Sequence, residues 1–223
     1  AITLMNLYMS MSTSFNSVLL PRITVLATDP RNDREISDLF IKTGRLQFCI
    51  LALILSGFIV FGKQFIILWA GADYVDSYLI TVIFFAALLC PLIQNVGITI
   101  LLARNRQRFR SLLYLGIAVV SLALQIAVTR RYGATGCAVV IGLTLFAGQW
   151  VAMNIYYRKC QRLAIGTFWR EIGRMAIVPV VLTVAGWWII SVMGQLSWWN
   201  VGAGICVFLA LYLPLFYLFG MNR

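Results

Sequence analysis

The sequence contains no histidine and only 7 acidic residues among 223. Without histidine, it lacks the usual general base and the commonest metal ligand. No Asp or Glu falls inside a stretch apolar enough to cross a membrane, whereas proton and sodium relays ordinarily use an intramembrane carboxylate. These absences argue against histidine-based catalysis and against a carboxylate relay within this stretch.

Cysteines are few and scattered, and no CxxC pair is present. A metal site or a disulfide framework needs clustered cysteines. We therefore expect no metal and no cofactor, and we interpret the cysteines as small buried hydrophobic residues. The five positions are Cys49, Cys90, Cys137, Cys160 and Cys206.

Charge is scarce, whereas apolar residues are abundant. Charged residues make up 11% of the chain and hydrophobic residues 61%, and the mean hydropathy is +0.90. A soluble domain has roughly 45–50% apolar and about 25% charged residues. The net charge of +11 lies in short gaps between apolar runs, so it indicates orientation in a membrane rather than nucleic-acid binding. The sequence predicts a polytopic membrane protein surrounded by lipids.

Seven stretches have the length and apolar character of a membrane-spanning helix, which needs about 20 residues. The fold class predicted is therefore an all-α transmembrane helix bundle, since lipid offers no partners to exposed backbone groups. The predicted spans are 1–27, 46–69, 77–103, 111–129, 134–157, 174–193 and 199–219.

The chain divides into three regions by this pattern. Residues 1–157 hold five spans, and residues 174–223 hold two spans that we expect to lie at the periphery. Between them, residues 158–173 mix apolar and charged side chains, which is typical of an amphipathic helix along the cytoplasmic surface.

Basic residues alternate between the connecting segments. With seven spans, fifteen of the 18 Lys and Arg residues fall on one side and three on the other. Because cytoplasmic loops carry the excess of basic residues, residue 1 is expected outside and Arg223 in the cytoplasm. The chain opens at Ala1 inside a hydrophobic segment without a basic region before it, which is unlike a signal peptide. We expect it to be the C-terminal part of a longer protein.

The first predicted span carries a polar stripe, formed by Asn6, Ser10, Thr13 and Ser17. At 100° per residue these four positions fall within an arc of about 60°. Such a stripe faces either a partner helix, through interhelical hydrogen bonds, or a solute path. The sequence does not separate these two interpretations.

The third predicted span combines a proline with polar residues. Pro91 removes the hydrogen bond to the carbonyl of Ala87 and should bend the helix close to Gln94, Asn95 and Thr99. A kink beside two carboxamides suits a cavity-lining helix. We expect these three residues and the polar stripe to look into one shared cavity, completed by a lobe outside this stretch.

Two basic residues are candidates for contacting an anionic substrate group. Arg22 lies at the inner end of the polar first span, and a guanidinium matches phosphate oxygens. Lys63 lies near the outer end of the second span. For both, anchoring to lipid headgroups is the alternative, by snorkelling in the case of Lys63.

Three segments, in this order and spacing, carry a family resemblance. They are residues 19–23 (LLPRI), residues 65–74 (FIILWAGADY) followed by Ser77–Tyr78, and residues 132–138 (YGATGCA). The succession resembles the C-terminal half of polysaccharide and O-antigen flippases of the Wzx type, within the multidrug/oligosaccharidyl-lipid/polysaccharide exporter superfamily. It covers nearly the whole chain from Leu19 onward.

The resemblance implies one lobe, plus extra helices, of a two-lobed transporter with twelve to fourteen helices. It further implies that an undecaprenyl-diphosphate-linked oligosaccharide is flipped by alternating access across a bacterial inner membrane. Enzymes of polysaccharide assembly would be additional partners. Family members often carry charged cavity residues in the first lobe, which has no counterpart here, so glycan identity and energy coupling stay open.

Two other functions remain open. A drug/cation antiporter of the same superfamily would differ mainly in the other lobe. A membrane enzyme of polysaccharide assembly would generally need long outer loops or an intramembrane histidine or carboxylate, and this sequence has neither. We therefore expect a transporter without covalent chemistry.

Overall fold

The computed structural model describes residues 1–27, 32–161, 163–193 and 198–216. Within these residues the chain is an all-α bundle, as predicted, with short 3₁₀ and π segments and no strand. The α-helices are α1 (Ile2–Ala27), α2 (Asp33–Ala70), α3 (Asp76–Ile93), α4 (Asn95–Ala103), α5 (Arg108–Leu145), α6 (Met153–Lys159), α7 (Ile165–Met175), α8 (Ile177–Met193) and α9 (Trp198–Phe216).

Six helical stretches of the described residues are long and apolar enough to cross a membrane, so the chain is a polytopic membrane-type bundle. They coincide with the second to seventh predicted spans. The six stretches are Asp33–Ala70, Ala72–Ile93, Arg108–Thr129, Tyr132–Lys159, Ile165–Ile190 and Trp198–Phe216.

Helix α1 corresponds to the first predicted span and is also long enough, with 26 residues. It is not among the six because Ser, Thr and Asn lower its hydropathy. It nevertheless belongs to the bundle, since it packs against α2, α3 and α4. Tyr8 on its inner side is buried and stacks on Phe85 of α3, with ring centroids 4.3 Å apart.

Helix α2 is one continuous helix of 38 residues. The second span was predicted to begin at residue 46, which left residues 33–45 in a connecting segment. That prediction was wrong, because the helix begins at Asp33. The charged stretch is amphipathic: Ile36 and Phe40 are buried on one side, while Arg34 and Lys42 are exposed on the other. This periodicity extends the helix beyond its apolar part. Helix α2 contacts α1, α3, α7, α8 and α9.

The third predicted span breaks where the sequence predicts a bend. Helix α3 ends at Ile93, Gln94 leaves the helical conformation with φ −98° and ψ 12°, and α4 begins at Asn95. Pro91 lies one turn before this break and has no N–H to donate. The predicted interruption beside the two carboxamides is therefore confirmed, although it lies at Gln94, three residues after Pro91.

Helix α5 contains the boundary between the fourth and fifth predicted spans. Gly133 sits there with φ 56° and ψ −145°, a conformation that only glycine adopts without strain. The fifth span continues through a π-helical segment, Phe146–Ala152, into α6. One added residue per turn in such a segment reorients the side chains that follow.

The predicted amphipathic segment 158–173 overlaps α7, which has apolar residues on one side and charged residues on the other. However, its apolar residues are buried within the hydrophobic core that α2 contributes to, rather than turned to lipid. Phe168 packs on Phe40 with ring centroids 4.8 Å apart, and a Cβ at Gly44 would come 2.3 Å from the Phe168 ring. Helices α8 and α9 then lie beside α2 and each other.

Candidate functional site

Ion pairs gather several helix ends at one end of the bundle. Arg104, after α4, contacts Asp33 at the start of α2 and also donates to Gln161 after α6, at 3.3 Å. On α2, Glu35 lies 3.8 Å from Arg22 and Arg45 lies 3.8 Å from Glu171 of α7; Arg174 completes this set. These are the segments in which the sequence places the basic excess, so we call this the basic end.

Aromatic residues mark the opposite end. Phe65 and Trp69, near the end of α2, stack with ring centroids 5.6 Å apart. Phe65 also meets Trp198, the first residue of α9, edge to face at 6.4 Å. Tryptophans at helix ends, such as Trp69 and Trp198, suit the interface between hydrocarbon and headgroups.

A first buried polar cluster joins α1, α2 and α4. Ser12 donates to the carbonyl of Leu92 at 2.9 Å, next to the break between α3 and α4. Gln47 donates to the backbone oxygen of Ser12 at 3.3 Å, and Asn95 donates to its hydroxyl at 3.4 Å. These bonds give partners to buried groups that lipid could not solvate.

A second, partly buried polar cluster is centred on Asn154 in α6. Its carboxamide oxygen accepts from Gln94 Nε2 at 2.7 Å and from Trp169 Nε1 at 3.0 Å. Its nitrogen donates to the carbonyl of Trp150, within the π segment. Trp150 stacks on Trp169 with ring centroids 5.0 Å apart. One side chain thus ties the α3–α4 break to the π segment and to α7.

The predicted path residues fall into two environments. Asn6, Ser10 and Thr13 of the polar stripe are exposed on the outer side of α1, and the Ser17 side chain lies outside the described part of the chain. The second set is buried inside the bundle, at Gln94, Asn95 and Thr99. The structure therefore does not bring the two sets onto one open face. Gln94 bonds to Asn154 of α6, and Asn95 bonds to Ser12 of α1. That either set lines a substrate path stays a prediction.

Arg22 and Lys63 are both exposed but are not brought together. Arg22 pairs with Glu35 in the first turn of α2, whereas Lys63 lies 28 residues further along the same helix. At a rise of 1.5 Å per residue, Lys63 lies roughly 42 Å along α2 from Glu35, and so from Arg22, which pairs with Glu35. They cannot bind one diphosphate at the same time.

Three intramembrane grooves have volumes of about 440, 380 and 320 Å³. The largest lies between α1, α2, α3 and α9 and is lined by apolar side chains such as Leu4, Leu7, Met11 and Phe65. Such surfaces suit acyl chains rather than the hydroxyls of a glycan. The grooves therefore offer no hydrophilic pocket.

Sequence reasoning missed Ser12 and Gln47 and undervalued Asn154. Ser12 lies two positions after Ser10, which is about 200° around the helix. The polar stripe therefore lies on the side of α1 opposite to Ser12. Ser12 follows Tyr8 by four residues, so the two side chains lie on the same side of α1, and both are buried. Asn154 is a single polar residue in an apolar stretch, and nothing in the sequence indicates its three partners.

No family model, curated protein or solved structure matches this chain.

Proposed function

We propose that the chain forms part of a membrane transporter that flips a lipid-linked oligosaccharide across a bacterial inner membrane by alternating access. The observation that carries this proposal is the orientation of α1. It buries Tyr8 and Ser12 in the bundle and exposes Asn6, Ser10 and Thr13 on its other side.

A polar exposed side is unfavourable against lipid, because hydrocarbon offers no hydrogen-bond partners. Ser10 and Thr13 donate to the carbonyls of Leu7 and Ser10 at 2.8 and 3.0 Å, which leaves their oxygen lone pairs as acceptors. Asn6 adds a carboxamide one turn away. Neutral donors and acceptors of this kind suit a hydrated path for sugar hydroxyls, and in this proposal the polar stripe lines that path.

Arg22 would meet the diphosphate at the basic end. It lies on the same helix, past the polar stripe, and its partner Glu35 is 3.8 Å away with both side chains more than half exposed. Exposed ion pairs contribute little, so a diphosphate could replace Glu35 without a large loss. A guanidinium also offers a bidentate geometry that suits phosphate oxygens.

Alternating access needs helices that can change their relative positions. The break at Gln94 and the π segment Phe146–Ala152 are adjacent irregularities, joined by Asn154. A change in the hydrogen bonds of Asn154 would therefore move α4 relative to α6. This supports a transporter in preference to a rigid scaffold.

Replacing Ser10 with tryptophan is expected to reduce surface polysaccharide to background in cells whose only flippase is the variant. The added ring would fill a path that the small hydroxyl leaves open. Val184→Trp is the matched control, since Val184 is an exposed apolar residue of α8, and it should leave export unchanged. Membrane levels are compared by blotting. Normal polysaccharide from Ser10→Trp at equal protein level would show that the stripe is not on the path.

A further inference from the structure

We propose that the junction between the start of α5 and the end of α6 binds the headgroup of an anionic phospholipid, whose acyl chains lie along the exposed first half of α5 (Arg108–Thr129). This inference does not depend on the proposed transport activity. It rests on three features of the junction: its contacts, its uncompensated charge and its continuity with an apolar surface.

Contacts at the junction fix its geometry. Phe109 of α5 stacks on Tyr156 of α6, with ring centroids 4.2 Å apart and the planes 6° from parallel. Arg106 donates to the carbonyl of Cys160 at 3.4 Å. The segment 106–110 therefore lies against the last turn of α6 and the residue that follows it. Five basic residues occupy this small area: Arg106, Arg108, Arg110, Arg158 and Lys159.

The charge of this cluster is not neutralised by the protein. Among residues 1–27, 32–161, 163–193 and 198–216, no carboxylate forms an ion pair with any of the five. The first turn of α5 contains no acidic residue, although a helix N-terminus favours one. Arg110 lies over the Tyr114 ring at 5.0 Å, and its buried Nε has no hydrogen-bond partner in the described structure. Among the described residues, the protein itself therefore supplies no counter-charge to the five basic side chains.

An apolar surface begins one turn after Arg108, on the same side of α5. Leu112, Leu115, Val119 and Leu122 are more than half exposed. Their spacing places them within about 80° of one another on the helix. The first half of α5 is also the least buried of the six membrane-type stretches.

A charged headgroup site continuous with an acyl-chain surface fits a phospholipid better than a free anion. Arginine forks bind phosphate oxygens in bidentate fashion. Basic residues at the cytoplasmic interface attract anionic lipids. Inorganic phosphate would contact the arginines but not the apolar surface of α5. Binding of free phosphate and binding of a phospholipid can therefore be distinguished by experiment.

Native mass spectrometry of the purified full chain tests this site with three added probes: phosphatidylglycerol, phosphatidylcholine and inorganic phosphate. The wild type should retain phosphatidylglycerol in preference to both others. The triple variant Arg106→Gln/Arg108→Gln/Arg110→Gln should bind phosphatidylglycerol about thirtyfold more weakly. The control Arg34→Gln/Lys42→Gln/Arg170→Gln removes the same charge from exposed positions on α2 and α7 and should bind as the wild type does.

Equal loss in the two triple variants would overturn the proposal, because attraction to a generally basic surface would explain it. Equal retention of phosphatidylcholine, or inorganic phosphate binding as tightly as the lipid, would also overturn it. If the triple variant aggregates on size exclusion, the single variants Arg106→Gln and Arg108→Gln decide. Each should weaken phosphatidylglycerol retention about threefold, and unchanged retention in both would contradict the site.

Discussion

A leucine at position 97 is expected to lower the thermal midpoint of the detergent-purified protein by about 5–10 °C. Gly97 faces Tyr157, and a Cβ there would come 2.7 Å from the ring Cζ and 2.8 Å from the hydroxyl oxygen. Tyr157 cannot retreat easily, because it is buried and packs beside Phe40 with ring centroids 6.1 Å apart. The larger side chain would therefore separate α4 from α6, at a cost of roughly 1–3 kcal/mol.

Gly202→Leu is the matched control for this experiment. Gly202 also lies in a membrane-type helix, α9, but no atom comes within 4 Å of a Cβ built there. Its thermal midpoint should stay within about 2 °C of the wild type. If Gly97→Leu were as stable as Gly202→Leu, the result would contradict the close contact between Gly97 of α4 and Tyr157 of α6.

Replacing Asn154 with leucine is expected to destabilise the bundle by about 2–4 kcal/mol. The carboxamide oxygen of Asn154 accepts from both Gln94 and Trp169, so the substitution leaves two donors without their partner. In a membrane, each interhelical hydrogen bond contributes about 1–2 kcal/mol or less. The destabilisation should therefore come mainly from the stranded donors rather than from lost attraction.

A double-mutant cycle measures this directly. Gln94→Leu combined with Asn154→Leu removes both ends of one bond, and should be less destabilising than the sum of the single variants. Denaturant or thermal unfolding in detergent gives the four free energies of unfolding that the cycle needs, for the wild type, the two single variants and the double variant. Strict additivity of the two substitutions would show that Gln94 and Asn154 do not interact.

The sequence predicted the membrane-spanning helices well because local signals specify them. Apolar runs of about 20 residues marked the six stretches. Pro91 lies just before one interruption, and the gap between the fourth and fifth predicted spans contains the other, at Gly133. Proline cannot donate its backbone bond, and glycine tolerates the φ of 56° found at position 133. These effects act within a few residues, so they can be read without knowing the tertiary structure.

The structure differed from expectation where long-range packing decides. The start of α2 looked like a charged loop, yet Ile36 and Phe40 extend the helix by packing into the core. Gln94 and Asn95 were expected to share one face with the polar stripe, but they are buried and bond to partners 60 and 83 positions away in sequence. No single-sequence pattern distinguishes a carboxamide that faces a path from one that meets a distant helix.

Water accessibility of the polar stripe tests the central claim most directly. Ser10→Cys and Thr13→Cys are made in a background without the five native cysteines, with Val184→Cys as the lipid-facing control. Cells or membranes are then treated with a membrane-impermeant maleimide. If α1 lines a hydrated path, positions 10 and 13 are labelled, position 184 is not, and added lipid-linked oligosaccharide protects the first two. If positions 10 and 13 are as unreactive as 184, the exposed side of α1 faces lipid or a packed helix, and the transport proposal is contradicted.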